Sequence, residues 1–134
     1  GLQIDDSHDV RVTNCRIAVG DDAIVTKARE RGVERLLVNN CTIASDDGAI
    51  KFGTASHAAV RDSQFSNIVI TDSRYGVALF MIHGGEYVNN RFSNIQIATG
   101  GRHPRHYPIF VDVDDRMRAG PDQRVGTIDG LSFS

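Results

Sequence analysis

Two short stretches set carboxylates side by side: Gly20-Asp21-Asp22 and Asp46-Asp47-Gly48. Paired carboxylates suit general acid–base chemistry, because crowding two like charges raises the pKa of one and keeps its proton near neutral pH. The competing reading is structural, since Asp-Asp ahead of Ala or Gly is a common solvated turn. Asp21, Asp47 and Arg74 follow one another at nearly one interval, so two acids and a cation recur in phase. Carboxylates stacked at that interval need a proton, a bridging cation or a base beside them. Arg74 is the in-phase residue that could neutralise them or hold an anionic ligand. Ca²⁺ would suit such hard oxygen ligands, but no ligand-rich loop accompanies them, and His103 and His106 lack a third partner for zinc. No metal and no cofactor is expected.

The interval belongs to a repeat that runs through the chain. Asn14-Cys15-Arg16-Ile17 recurs as Asn40-Cys41-Thr42-Ile43, Asn67-Ile68-Val69-Ile70 and Asn94-Ile95-Gln96-Ile97, with steps of 26, 27 and 27. A second ladder reads Asp22-Ala23-Ile24, Gly48-Ala49-Ile50 and Gly76-Val77-Ala78, and valines open the units at Val10, Val33, Val60 and Val88. Each unit holds two or three short strands, as in "VRVTNCRI" and "YVNNRFSNIQI", separated by Asp, Gly, Ser or Asn. None can bury its apolar side alone. Stacking the units at the strand spacing of about 4.8 Å buries a continuous interior and pairs the backbone.

The expected fold is therefore all-β: a right-handed parallel β-helix of about five coils of about 26–27 residues, one domain over 1–134. The aligned Asn residues should form a side-chain ladder or cap turns. Cys15 and Cys41 fall on equivalent rungs with parallel Cβ vectors, which favours two buried free thiols over a disulfide. Both ends, "GLQID" and "GLSFS", read as cut within a repeat, so an internal segment of a larger protein is expected.

Composition narrows the function. A chain of 134 residues, 40% hydrophobic and 24% charged, suits one soluble globular domain. Fifteen Lys and Arg against 17 Asp and Glu leave a net charge of −2, with no bulk field to attract nucleic acid. No apolar run nears the roughly 20 residues that span a bilayer. Nucleic acid and membrane are not expected as partners.

The stretches "GLQIDDSHDVRVTNCRIAVGDDAIVTK" and "GVERLLVNNCTIASDDGAIKFGT" resemble the polygalacturonase-like enzymes of glycoside hydrolase family 28. The resemblance implies a right-handed parallel β-helix that cleaves pectin-like polysaccharides with inversion. Gly20-Asp21-Asp22, continued by "AIVTK" to Lys27, matches that family's Gly-Asp-Asp piece. By this resemblance Asp21 is the general acid and Asp22 helps to hold the attacking water. Gly1 aligns with the Gly of an Asn-Thr-Asp-Gly piece, whose Asp would precede Gly1. Asp47 stands where the family has a His, and Ala78 and Phe80 stand where it has an Arg and a Lys. Inverting hydrolysis needs an acid and a base with carboxyls about 6.5–9.5 Å apart, which a tandem pair plus an acid from a neighbouring coil could supply.

Further candidates for substrate binding are Asp47, Lys27, Lys51, Arg74, Arg102 and Arg105. Lys27 and Lys51 project from neighbouring coils, where a solvated surface cation is the competing reading. Arg102 and Arg105 lie in "TGGRHPRHYP", a break in the repeat that reads as a loop emerging where the acids emerge. They could grip carboxylates in bidentate fashion. Tyr75, Phe80 and Tyr87 could stack on sugar faces or pack in the core. Residues 112–123 read as a second exposed excursion. The expected activity is polysaccharide hydrolysis by a secreted or periplasmic protein. A uronate lyase or epimerase using Lys51 or Arg74, and a non-catalytic β-helix, are the alternatives.

Overall fold

The computed structural model describes residues 1–114 and 124–134, and no helix occurs among them. Three parallel sheets carry the chain in rotation. The first holds β1 (Leu2–Asp5), β4 (Ile24–Ala28), β7 (Gly48–Ser56), β10 (Tyr75–Met81) and β13 (Tyr107–Val113) in that order. The second holds β5 (Val33–Glu34), β8 (Ala59–Arg61), β11 (Glu86–Val88) and β14 (Thr127–Asp129). The third runs from β2 (Arg11–Thr13) and β3 (Arg16–Val19) through β6 (Leu37–Ser45), β9 (Gln64–Ser73) and β12 (Arg91–Thr99) to β15 (Ser132–Phe133). Each central strand thus pairs with the strand three along in sequence, an arrangement consistent with a β-helix.

Alternation places one side of the central strands in a shared interior. Ile24, Ile50 and Val77 share one column, Thr26, Phe52 and Leu79 the next, and all six are at most 1% exposed. Val38, Phe65, Phe92 and Phe133 share another, with Phe65–Phe92 and Phe92–Phe133 ring centroids 4.8 and 5.0 Å apart. Buried serines satisfy the backbone at the corners. Ser45 Oγ donates to Asp21 O, Ser56 Oγ accepts from the Ile82 and His83 amides, and Ser63 Oγ accepts from the Leu36 amide.

The Asn ladder is present. Asn14, Asn40, Asn67 and Asn94 all take positive φ, between 51° and 57°, a conformation that Asn tolerates well. Asn40 Nδ2 donates to Asn14 Oδ1, and Asn94 Nδ2 to Asn67 Oδ1, each at 2.8 Å. A second column of positive φ, Asp9, Arg35, Asp62 and Asn89, turns the chain between the second and third sheets. Both thiols are free, Cys41 buried and Cys15 half-buried, and burial pushes the Cys41 thiol pKa up.

Two ladders read from residue identity are displaced. Tyr75, not Gly76, pairs with Gly48, and Val77 pairs with Ile50. One more residue separates Ile50 from Val77 than separates Ile24 from Ile50, so Val77 takes the interior place and Ala78 turns outward. The valine series also divides. Val33, Val60, Tyr87 and Ile128 form one column, whereas Val88 pairs with Arg61 and Val10 lies outside it. Nor is the step uniform at the ends. It is shorter from Leu2 to Ile24, and longer from Val77 to Ile109 because of the loop before Tyr107. Of the second excursion, 112–123, residues 115–123 lie outside the described residues, Asp112 and Val113 belong to β13, and strand resumes at Thr127.

Gly53 lies where the β4–β7 register shifts. It holds φ +99°, and a Cβ there would meet Phe80 O at 2.7 Å. Gly53→Ala is expected to cost about 3 kcal/mol, read by urea denaturation. A cost near zero would mean that this backbone relaxes freely.

Candidate functional site

The corner where the third sheet hands the chain to the first recurs at residues 20–23, 46–48, 73–75 and 100–106. It carries acids in two successive repeats. Asp21, Asp22 and Asp47 each bring a carboxylate oxygen within 4.8 Å of the other two. Asp21 is exposed, while the Asp22 and Asp47 side chains retain 13% and 25% of their accessible surface.

Backbone and side chains hold this cluster from below. Asp22 Oδ1 accepts from the Gly48 amide at 3.2 Å, and the Asp47 amide donates to Ser45 Oγ at 3.0 Å. Ser45 Oγ in turn donates to the Asp21 carbonyl, so one hydroxyl ties the two acidic corners together. A Cβ at Gly48 would meet Asp22 Oδ1 and Lys51 Cβ, each at 3.1 Å, so any side chain here would have to displace these two groups by a few tenths of an ångström.

Lys51 is the centre of the charge arrangement. Its Nζ lies 3.0 Å from Asp22 Oδ2 and 3.4 Å from Asp47 Oδ2, and its side chain is only 12% exposed. Arg74 completes the set, with Nη1 3.2 Å from Asp47 Oδ1 and its guanidinium 4.7 Å from the Tyr75 ring centroid. The reading of Lys51 as a solvated surface cation is therefore corrected, because the two acids and the Phe80 ring, 5.3 Å away, enclose it. Lys27 is corrected likewise: it is half-buried and donates to Gly53 O at 2.8 Å.

Burial raises the Asp22 pKa; Lys51 opposes the rise and the Asp47 charge adds to it. Burial alone would lower Lys51, but Asp22 and Asp47 together outweigh it and the net direction is up. The two directions are compatible because Lys51 faces two acids, whereas Asp22 faces one cation and one anion. Lys27 is lowered, first by burial and then by the Lys51 charge. The sign for stability follows from Asp22 binding its proton more tightly in the folded chain than in the unfolded one. Its contribution to stability is fullest below its unfolded pKa and is lost as pH rises through the folded pKa. The stability of the native protein relative to Asp22→Asn is thus expected to improve between about pH 7 and about pH 4, read by urea denaturation at both. A difference that is flat or grows with pH contradicts this.

Arg102 and Arg105 lie on the exposed loop at the same corner. The loop leaves beside Ser73, whose carbonyl accepts from the Gly100 amide, and returns where the Tyr107 amide donates to Arg74 O. The sequence places this loop at the acidic corner, and the structure agrees. Neither arginine makes an ion pair among the described residues.

Tyr75 and Phe80 are buried in a second apolar cluster with Ala78 and Ile82, against which Tyr107 and Phe110 pack, and Tyr75 stacks on Tyr107 at 5.5 Å, so neither Tyr75 nor Phe80 is open to a sugar face. Tyr87 is 1% exposed in the core and donates to Phe80 O, so it is no sugar platform. The separation expected for an inverting pair is not met within the acid trio, whose oxygens approach more closely than about 6.5 Å.

The Lys51 bridge was missed in the sequence although a signal existed: Asp47, just ahead of β7, and Lys51 within it are four residues apart, an even spacing that returns extended-chain side chains to one face. Comparison with family models, curated proteins and solved structures gives no match for this chain.

Proposed function

We propose that the chain folds as a right-handed parallel β-helix of about five coils, and that it acts on polysaccharide by acid–base glycoside hydrolysis outside the cytoplasm. The observation that carries this reading is the convergence of Asp21, Asp22 and Asp47 from two repeats onto one outward corner, beside Lys51 and Arg74. Asp21, the exposed member, meets the glycosidic oxygen as general acid. Asp22, anchored by Lys51 and the Gly48 amide, belongs to the system that holds the attacking water.

The trio is too tight to supply both partners of an inverting reaction. The second partner would therefore have to come from outside the trio. A β-elimination with Lys51 as base is disfavoured, because two acids hold that amine protonated. A structural reading has its own support: Lys51 and Arg74 already engage Asp22 and Asp47, a closed network that would stiffen a scaffold without any substrate.

Product analysis tests the proposal, using the longest natural chain that carries these residues and a panel of pectic and neutral polysaccharides. New reducing ends without the ultraviolet absorbance of an unsaturated uronate are the expected outcome. That absorbance would establish elimination, and no products at all would leave the scaffold.

A further inference from the structure

The buried serines of the stack do not all use their hydroxyls alike. Ser63 and Ser73, both fully buried, follow one pattern. Each donates to the carbonyl two residues before it, Arg61 O or Thr71 O, and each accepts a backbone amide from the preceding repeat, that of Leu36 or Ser45. Ser45 lies one repeat before Ser73 and is 2% exposed, yet its hydroxyl is turned the other way. It donates to the carbonyl of Asp21 in the preceding repeat and accepts from the Asp47 amide two residues on. The departure falls at the corner that carries the acid trio.

We propose that Ser45 is a positioning residue for the reaction: tied to the Asp47 amide, its hydroxyl holds the Asp21 backbone and so sets the reach of that carboxylate toward the substrate. The inference rests on the hydrolase reading above. Asp22 is anchored by Lys51 and the Gly48 amide, and Asp47 by Lys51 and Arg74. The Asp21 carboxylate makes no hydrogen bond or ion pair among the described residues. An acid without a side-chain anchor can be placed only through its backbone. That backbone is tied to the next repeat by Ser45 Oγ on the Asp21 carbonyl and by the Ala23 amide on Gly48 O at 2.8 Å.

Burial strengthens the tie, because a hydrogen bond shielded from water is electrostatically stronger. Productive geometry tolerates little error: a displacement of about 1 Å at a reacting group can cost about 10²-fold in rate. Ser45 meets backbone atoms and lies below the surface, so it touches no substrate. Its loss should therefore slow turnover and spare binding.

Steady-state hydrolysis tests the proposal, with the longest natural chain that carries these residues and the member of the pectic and neutral panel that it cleaves. Ser45→Ala should lower kcat by about 10–100-fold and leave KM within about twofold. Ser63→Ala removes an equally buried hydroxyl away from the acid trio and should keep the native kcat. In an Asp21→Asn background, Ser45→Ala should lower kcat no further, since it acts through Asp21. Ser45→Cys, close in size and a weaker donor, should fall between the native chain and Ser45→Ala, and it carries the test if the alanine variant does not fold. Circular dichroism checks the fold of each. Native kcat in a folded Ser45 variant, an equal fall in Ser63→Ala, or an undiminished effect beside Asp21→Asn overturns the proposal. Loss of the fold in both Ser45 variants overturns it too, because the hydroxyl would then be structural. If the native chain yields no new reducing ends, the hydrolase reading fails and the role of Ser45 with it. Native turnover that survives Ser45→Ala removes that role alone.

Discussion

Lys51→Met is expected to destabilise the fold by about 3 kcal/mol at neutral pH, at the lower end of what breaking a buried ion pair costs. Met keeps the length of the side chain but removes the charge between Asp22 and Asp47. Asp22 is then left with one backbone amide and a like-charged neighbour, at 13% exposure. Asp47 suffers less because Arg74 remains on its other oxygen, which keeps the cost from the upper end of the range. In a domain of this size the loss corresponds to a fall in Tm of roughly 10 °C. The cost should shrink near about pH 4, where protonation of Asp22 removes the unpaired charge. It should also be non-additive with Asp22→Asn, since the two residues share one interaction. Urea denaturation at the two pH values reads both effects. A cost below about 0.5 kcal/mol would show that Lys51 is a solvated cation after all.

Asp21→Asn is expected to lower hydrolysis by about 10²–10⁴-fold, the usual loss on removing a general acid. Asn keeps the shape and cannot deliver the proton. The Asp21 side chain is exposed, and its backbone carbonyl, which the change leaves in place, carries the contact with Ser45. Stability should therefore stay within about 0.5 kcal/mol, which separates loss of chemistry from loss of fold. Turnover at the native rate in this variant would remove Asp21 from the mechanism. Given its anchoring, Asp22 would then become the acid to test next.

The Asn repeat was legible because its function is local. Asn at positive φ is a backbone preference, and four such residues at near-equal steps announce four equivalent turns before any contact is known. The free thiols followed from the same spacing. The corner loop carrying Arg102 and Arg105 was legible because Pro, Gly and charge interrupt a pattern that is otherwise continuous. The slip at Gly76 was not legible. Matching small residues suggested one register, and burial of Val77 against Ile50 set another, since moving a strand by one residue sends its whole apolar side outward.

The sequence by itself determined the alternating strands, their repeat and the meeting of Asp21, Asp47 and Arg74 at one corner, because periodicity and turn chemistry are properties of neighbours along the chain. Only the tertiary structure decided that Lys51 lies between two acids from different repeats, that Lys27 is spent on a carbonyl and that Tyr87 belongs to the core. Those outcomes depend on which side chains face one another across stacked strands. That in turn depends on where each repeat admits its extra residue, a choice made by packing the interior.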